Sequence, residues 1–86
     1  MADKVRTLIL FGATGDLARR MLLPSLYGLD ADGLLGDDLR IVGTARTELD
    51  DAGFRERAAG ALNEHLPDGF FDEGIAGRFL QRLHYV

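Results

Sequence analysis

The strongest constraint on the fold is an apolar run that ends directly in a glycine-rich turn. Residues 7–11 read Thr-Leu-Ile-Leu-Phe and are followed by Gly12-Ala13-Thr14-Gly15. A short apolar run without alternation is typical of a strand that is covered on both faces, as in a parallel sheet. Beyond the turn, apolar residues cover most of a helix surface over residues 17–29, which predicts a mostly buried helix.

The rest of the chain predicts two more strands and two more helices. A second strand is expected over residues 39–45, and Asp50 is a suitable N-cap for the helix after it. The apolar stripe of that helix contains Phe54, Ala58, Ala61 and Leu62. A third helical segment is indicated by Phe71, Ile75, Phe79 and Leu83, and a further strand begins at residues 84–86.

Interruptions separate these elements. Pro24 lies well inside the first helical stretch and is expected to kink it or to split it into two pieces. Residues 30–33 and 36–38 are rich in Asp and Gly and are expected to form loops. Pro67-Asp68-Gly69 ends the second helix.

The order strand, helix, strand, helix, helix, strand predicts an α/β fold with parallel strands and right-handed crossovers. The expected architecture is a Rossmann-type parallel sheet unit, the incomplete N-terminal part of a doubly wound domain. Residues 1–86 are therefore expected to belong to a longer enzyme, with the rest of this domain and a substrate domain outside the chain.

Composition excludes several classes of function. The chain has 86 residues and no cysteine, so neither a disulfide framework nor a thiolate metal site can form. No apolar run approaches the roughly 20 residues that span a bilayer, and the net charge of −4 argues against general nucleic-acid binding. No signal-peptide layout is visible, so a cytoplasmic protein is expected.

The turn between the first strand and the first helix has the features of a pyrophosphate site. Backbone N–H groups at a helix N-terminus point toward a bound anion, and the helix dipole favours it. Side chains at Gly12 or Gly15 would keep phosphates away from the backbone. Glycine pairs of this kind also occur in turns that bind no ligand. The candidate cofactor-binding residues here are Gly12, Ala13, Thr14, Gly15, Asp16, Leu17, Ala18 and Arg19.

The end of the second strand indicates which dinucleotide would bind. NAD-specific folds place an Asp or Glu there for the adenine ribose, whereas this chain reads Gly43-Thr44-Ala45-Arg46-Thr47. A guanidinium matches a phosphate bidentately, and threonine hydroxyls can donate to it. Thr44, Arg46 and Thr47 are therefore candidates for the 2′-phosphate of NADP.

Several stretches of this chain together resemble the N-terminus of the glucose-6-phosphate dehydrogenase family. They are residues 12–20 (GATGDLARR), 23–27 (LPSLY), 32–35 (DGLL) and 41–46 (IVGTAR). The resemblance implies that the turn holds the NADP phosphates and that Arg46 meets the 2′-phosphate. It also implies oxidation of glucose 6-phosphate to 6-phosphogluconolactone, in the oxidative pentose phosphate pathway, by a homo-oligomeric enzyme. Met21 departs from the lysine found in many relatives.

No catalytic residue is expected within the chain, because the family's catalytic histidine and sugar-phosphate site lie downstream. His65 and His84 are expected to be structural or solvated, and Asp16 to be a first-turn carboxylate that favours the helix dipole. Two alternatives remain at this point. One is a short-chain NADP reductase or epimerase, many of which also begin with Gly-Ala-Thr-Gly; the other is a non-catalytic NADP-sensing module.

Overall fold

The computed structural model describes residues 6–86, which form a parallel three-stranded sheet with helices. The elements are β1 (Arg6–Phe11), a π-helical turn (Ala18–Leu22), α1 (Leu23–Ala31), β2 (Leu39–Thr44), α2 (Asp51–His65), α3 (Glu73–Gln81) and β3 (Leu83–Tyr85). The strand order is β1-β2-β3 and both pairings are parallel. The predicted fold class and element order are confirmed.

The hydrophobic core lies against one face of the sheet. Leu10, Ile41 and Leu83 contribute the strand side of this core, and all three helices contribute the other side. Right-handed crossovers that proceed in one direction bring successive helices to the same face. On the opposite face Ile9 and Phe11 are 53% and 76% exposed. Residues 6–86 therefore cover only one of the two faces of the first strand that the sequence predicts to be buried.

The first helical stretch is buried along one stripe only. Ala18, Leu23 and Tyr27 are buried, whereas Leu17 and Met21 are exposed. The prediction of a mostly buried helix is therefore wrong, because the helix contacts its neighbours on a single side. Apolar composition alone could not identify that side.

Pro24 coincides with a change of helix type. A proline in an α-helix lacks an N–H and its ring clashes with the carbonyl four residues earlier. The chain avoids this conflict with a π-helical turn, in which the N–H of Leu23 donates to the carbonyl of Ala18. The expected interruption thus takes the form of a wider turn before α1.

A buried ion pair joins the end of α1 to the end of α3. Arg82 donates to both carboxylate oxygens of Asp30, from Nε at 3.1 Å and from Nη2 at 3.0 Å. The same guanidinium donates to the carbonyls of Leu39 and Gly36. Residues 30–33 were expected to form a loop, but Asp30 and Ala31 are the last two residues of α1. Their place in the helix allows Asp30 to face the core.

Two aspartates begin the later helices. Asp50 accepts from the N–H of Gly53 at 2.7 Å, as its predicted N-cap role requires, and Asp72 accepts from that of Ile75 at 3.0 Å. The third helix ends before Leu83, which lies in β3, so the predicted helical stripe extended too far. No helix within residues 6–86 has the length and apolar character needed to cross a membrane.

Candidate functional site

The glycine-rich turn lies at the carboxyl ends of β1 and β2. Gly12 has a φ of 65°, a conformation that other residues rarely adopt, and the turn closes with a bond from the Gly15 N–H to the Gly12 carbonyl at 2.8 Å. The Ala13 N–H donates to the Thr44 carbonyl at 3.1 Å. The turn is therefore held against the end of the neighbouring strand.

The turn leaves backbone donors available to an anion. Within residues 6–86 the N–H groups of Thr14, Asp16 and Leu17 donate to no protein acceptor. A Cβ atom at Gly15 would lie 3.1 Å from the Gly12 carbonyl oxygen, whereas one at Gly12 would enter open space beside the turn. Free donors beside an unobstructed backbone are what a pyrophosphate requires, so these residues fit a dinucleotide.

Gly43 allows the turn to approach β2 and is a residue that the sequence reasoning did not assign to the site. A Cβ atom there would lie 2.6 Å from Cζ of Phe54 and 2.8 Å from Cβ of Ala13. Only glycine leaves room for both neighbours. A glycine in a strand that is rich in apolar and β-branched residues is the sequence signal that could have indicated this close approach.

The structure brings the two predicted parts of the site together. The hydroxyl oxygens of Thr14 and Thr47 lie 3.1 Å apart, which links the turn to the loop after β2. Arg46 lies in that loop and is exposed. Its side chain makes no ion pair or hydrogen bond with any other residue of the described part of the chain. Arg46 thus has its full donor capacity for a ligand.

The other predicted site residues, 16–19, lie at the start of the helical stretch after β1 and differ in exposure and in their contacts. Ala18 is buried, as close packing of helix and strand requires, and Leu17 is exposed. Asp16 at the helix start pairs with Arg20 at 2.9 Å. Arg19 points toward α2, where its Nη2 lies 3.4 Å from Oε1 of Glu64. A cleft of about 340 Å³ separates this part of the helix from α2 and is lined in part by Thr14, Arg19 and Arg57.

The two histidines are distant from the turn in sequence, and each lies beside a carboxylate. Nδ1 of His84 lies 3.1 Å from Oδ2 of Asp51. Nε2 of His65 lies 2.7 Å from Oε1 of Glu64, although the angle is not that of a hydrogen bond. Among the residues described, no group of His, Asp and Glu could hold a metal ion.

Asp51 connects α2 to β3. It accepts the Tyr85 N–H at 2.8 Å, and this bond, followed by the one with His84, lowers the pKa of its carboxyl group below the ordinary value of 3.8. The Tyr85 hydroxyl in turn donates to the Thr47 carbonyl. Tyr85 is the second residue that the sequence reasoning did not connect with the site, and no local pattern points to it.

Comparisons with known proteins agree with this arrangement. Residues 9–86 match the family described as glucose-6-phosphate dehydrogenase, NAD binding domain. The whole chain is 55% identical to glucose-6-phosphate 1-dehydrogenase of Zymomonas mobilis, and 78 residues are 46% identical to the enzyme of Mycolicibacterium smegmatis. The crystal structure of glucose-6-phosphate 1-dehydrogenase from Mycobacterium avium aligns with 95% of the chain at a TM-score of 0.83 and 32% identity.

A second solved structure, a glucose-6-phosphate dehydrogenase in complex with its substrate glucose-6-phosphate, aligns with the whole chain at a TM-score of 0.82 and 32% identity. The chain spans 18% of the length of the Zymomonas mobilis protein and 16% of that from Mycolicibacterium smegmatis. These matches do not favour the short-chain reductase, the epimerase or the sensing module. The chain belongs to the glucose-6-phosphate dehydrogenase family, and its residues 9–86 match the NAD binding domain of that family.

Proposed function

We propose that this chain is the NADP-binding portion of a glucose-6-phosphate dehydrogenase that oxidises glucose 6-phosphate to 6-phosphogluconolactone. The observation that supports this most strongly is the 3.1 Å approach of Thr14 to Thr47. It joins the turn to the loop, and among residues 6–86 several backbone donors of the turn and the side chain of Arg46 have no partner. A ligand with a pyrophosphate and a second phosphate matches that pair of features.

In this proposal the two parts of the site have separate tasks. The turn, with Gly12, Ala13, Thr14 and Gly15 and the helix start at residues 16–19, binds the pyrophosphate through backbone N–H groups. The loop binds the 2′-phosphate through Arg46, assisted by the hydroxyls of Thr44 and Thr47. The bound nicotinamide supplies the hydride acceptor, while these residues orient the cofactor and select it over NAD.

We further propose that residues 1–86 are the N-terminal part of the cofactor domain of a longer enzyme. Within the described residues β1 pairs with β2 alone, and its Ile9 and Phe11 are exposed. Further strands and helices would cover this apolar surface. Glucose 6-phosphate would bind outside this chain, in an enzyme that is cytoplasmic and homo-oligomeric.

The test is NADPH formation from glucose 6-phosphate and NADP by the full-length protein that contains this chain. We expect activity from that protein and none from the purified 86-residue chain, because the chain spans only 18% of the length of a related dehydrogenase and the proposed sugar-phosphate site lies outside it. Sugar-dependent NADPH formation by the isolated chain, or its absence from the folded full-length protein, would contradict the proposal.

A further inference from the structure

The loop that contains Arg46 is held by side chains. Between the end of β2 and the N-cap of α2, residues 45–49 take part in no backbone–backbone hydrogen bond with other described residues. Two contacts at Thr47 fix the loop instead. One is the hydroxyl contact with Thr14, and the other is the bond that its carbonyl accepts from the Tyr85 hydroxyl.

Tyr85 is itself held by three contacts, with residues of β2 and α2. Its backbone pairs with Gly43 in the β2–β3 register, and its N–H donates to Asp51 at the start of α2. Its ring packs against Phe54 with centroids 5.3 Å apart and planes inclined by 48°. Because these contacts hold the ring in place, the hydroxyl has little freedom to move. Its hydrogen bond therefore restrains the position of the Thr47 carbonyl.

From these contacts we propose that Tyr85 is a positioning residue for cofactor selection, which rests on the proposed role of Arg46 toward the 2′-phosphate. The Tyr85 hydroxyl fixes the carbonyl of Thr47, and this restraint limits the backbone of the adjacent Arg46. Arg46 is exposed and has no protein partner among residues 6–86, so its own contacts cannot orient it. Pre-ordering the loop lowers the entropy cost when a phosphate binds.

This role predicts a selective effect on one cofactor. Loss of the hydroxyl removes one neutral hydrogen bond and leaves the ring packing intact, so NADP affinity should fall about threefold to tenfold. NAD has no 2′-phosphate and therefore lacks the group that Arg46 is proposed to bind. Its affinity should therefore stay within about twofold.

The experiment measures dissociation constants of NADP and NAD by calorimetry with the full-length protein. The test variant is Tyr85→Phe. The matched control is Tyr27→Phe, since the Tyr27 hydroxyl also bonds to backbone groups, those of Phe70 and Asp72, but in the segment between α2 and α3. We expect Tyr85→Phe to lower the NADP/NAD preference, and Tyr27→Phe to lower the melting temperature without changing the preference.

Arg46→Ala and the double variant with Tyr85→Phe separate this inference from the proposed function. If Tyr85 acts through Arg46, Tyr85→Phe should not lower the preference further in the Arg46→Ala background. An unchanged preference in Tyr85→Phe, while Arg46→Ala abolishes it, would overturn the inference and leave the proposed function standing. An unchanged preference in both single variants would overturn the inference together with the proposed role of Arg46. Equal weakening of NADP and NAD by Tyr85→Phe would also overturn the inference.

Discussion

The hydroxyl oxygens of Thr14 and Thr47 lie 3.1 Å apart, although 33 positions separate the two residues in the chain. Thr14 belongs to the turn after β1, and Thr47 lies one residue beyond Arg46 in the loop after β2. The contact makes one site of two segments, because parallel strands present their carboxyl ends at the same edge of the sheet.

Replacing Arg46 by alanine should weaken NADP binding by about tenfold to a hundredfold, since a hydrogen bond to a charged group contributes roughly 1.5–3 kcal/mol. NAD binding should change little, so the NADP/NAD preference should collapse. Calorimetry on the full-length protein measures both affinities, and high salt should erode the wild-type preference because the ion pair is exposed. Equal loss for both cofactors in a folded variant would count against Arg46 as the selecting residue.

Valine at Gly12 or at Gly15 should abolish binding of NADP and NAD alike. At Gly12 valine is strained by the φ of 65° and projects into the space beside the turn, and at Gly15 its Cβ would press on the Gly12 carbonyl at 3.1 Å. Gly28→Ala is the control, because a Cβ atom in that helix meets nothing within 4 Å. It should leave binding unchanged and stabilise the protein by about 0.4–1 kcal/mol. Normal cofactor binding by both folded valine variants would refute the pyrophosphate assignment.

Arg82→Met should destabilise the protein by about 3–5 kcal/mol, because it leaves the buried carboxylate of Asp30 with only the 3.9 Å contact of the exposed Arg78 guanidinium. Glu64→Gln removes an exposed partner of Arg19 and should cost at most about 1 kcal/mol. Urea unfolding of the full-length protein compares the two. Adding Asp30→Leu to Arg82→Met should recover part of the loss, and a double variant less stable than Arg82→Met alone would contradict this account. The NADP/NAD preference should be unaffected.

Asp51 should contribute to stability in a pH-dependent way. Its folded-state pKa is lowered, chiefly by the Tyr85 N–H and then by His84, so the ionised carboxylate is favoured in the folded protein. The contribution is complete above the ordinary pKa of 3.8 and is lost as pH falls through the lower folded value. The difference in unfolding free energy between wild type and Asp51→Asn should therefore shrink on acidification below about that ordinary value. A difference that stays constant to the lowest accessible pH would show that ionisation of Asp51 is not responsible.

The element order was predictable because its signals are local. Apolar runs identified the strands, the N-cap aspartate at residue 50 marked the start of α2, and Gly12 through Gly15 marked the turn between strand and helix. The hypothesis that NADP binds rather than NAD likewise depends only on local residues, namely Arg46 and the absence of a carboxylate at the end of the second strand. Each of these signals depends on neighbours within a few positions, so the amino-acid sequence contains it directly.

Tertiary structure alone decided which faces are buried and which distant residues meet. The sheet leaves Ile9 and Phe11 exposed because the helices pack on one face, and this depends on crossover direction rather than on local composition. Asp30 pairs with Arg82, which lies 52 positions later in the chain, and Thr47 bonds to Tyr85, which lies 38 positions later. Such pairs have no periodic signature, since the strand register and the helix packing that bring them together arise only when the whole chain folds. The sequence by itself thus determined the turn, the candidate phosphate-binding residues and the order of the elements, and the tertiary structure determined how the loop that contains Arg46 is held in place.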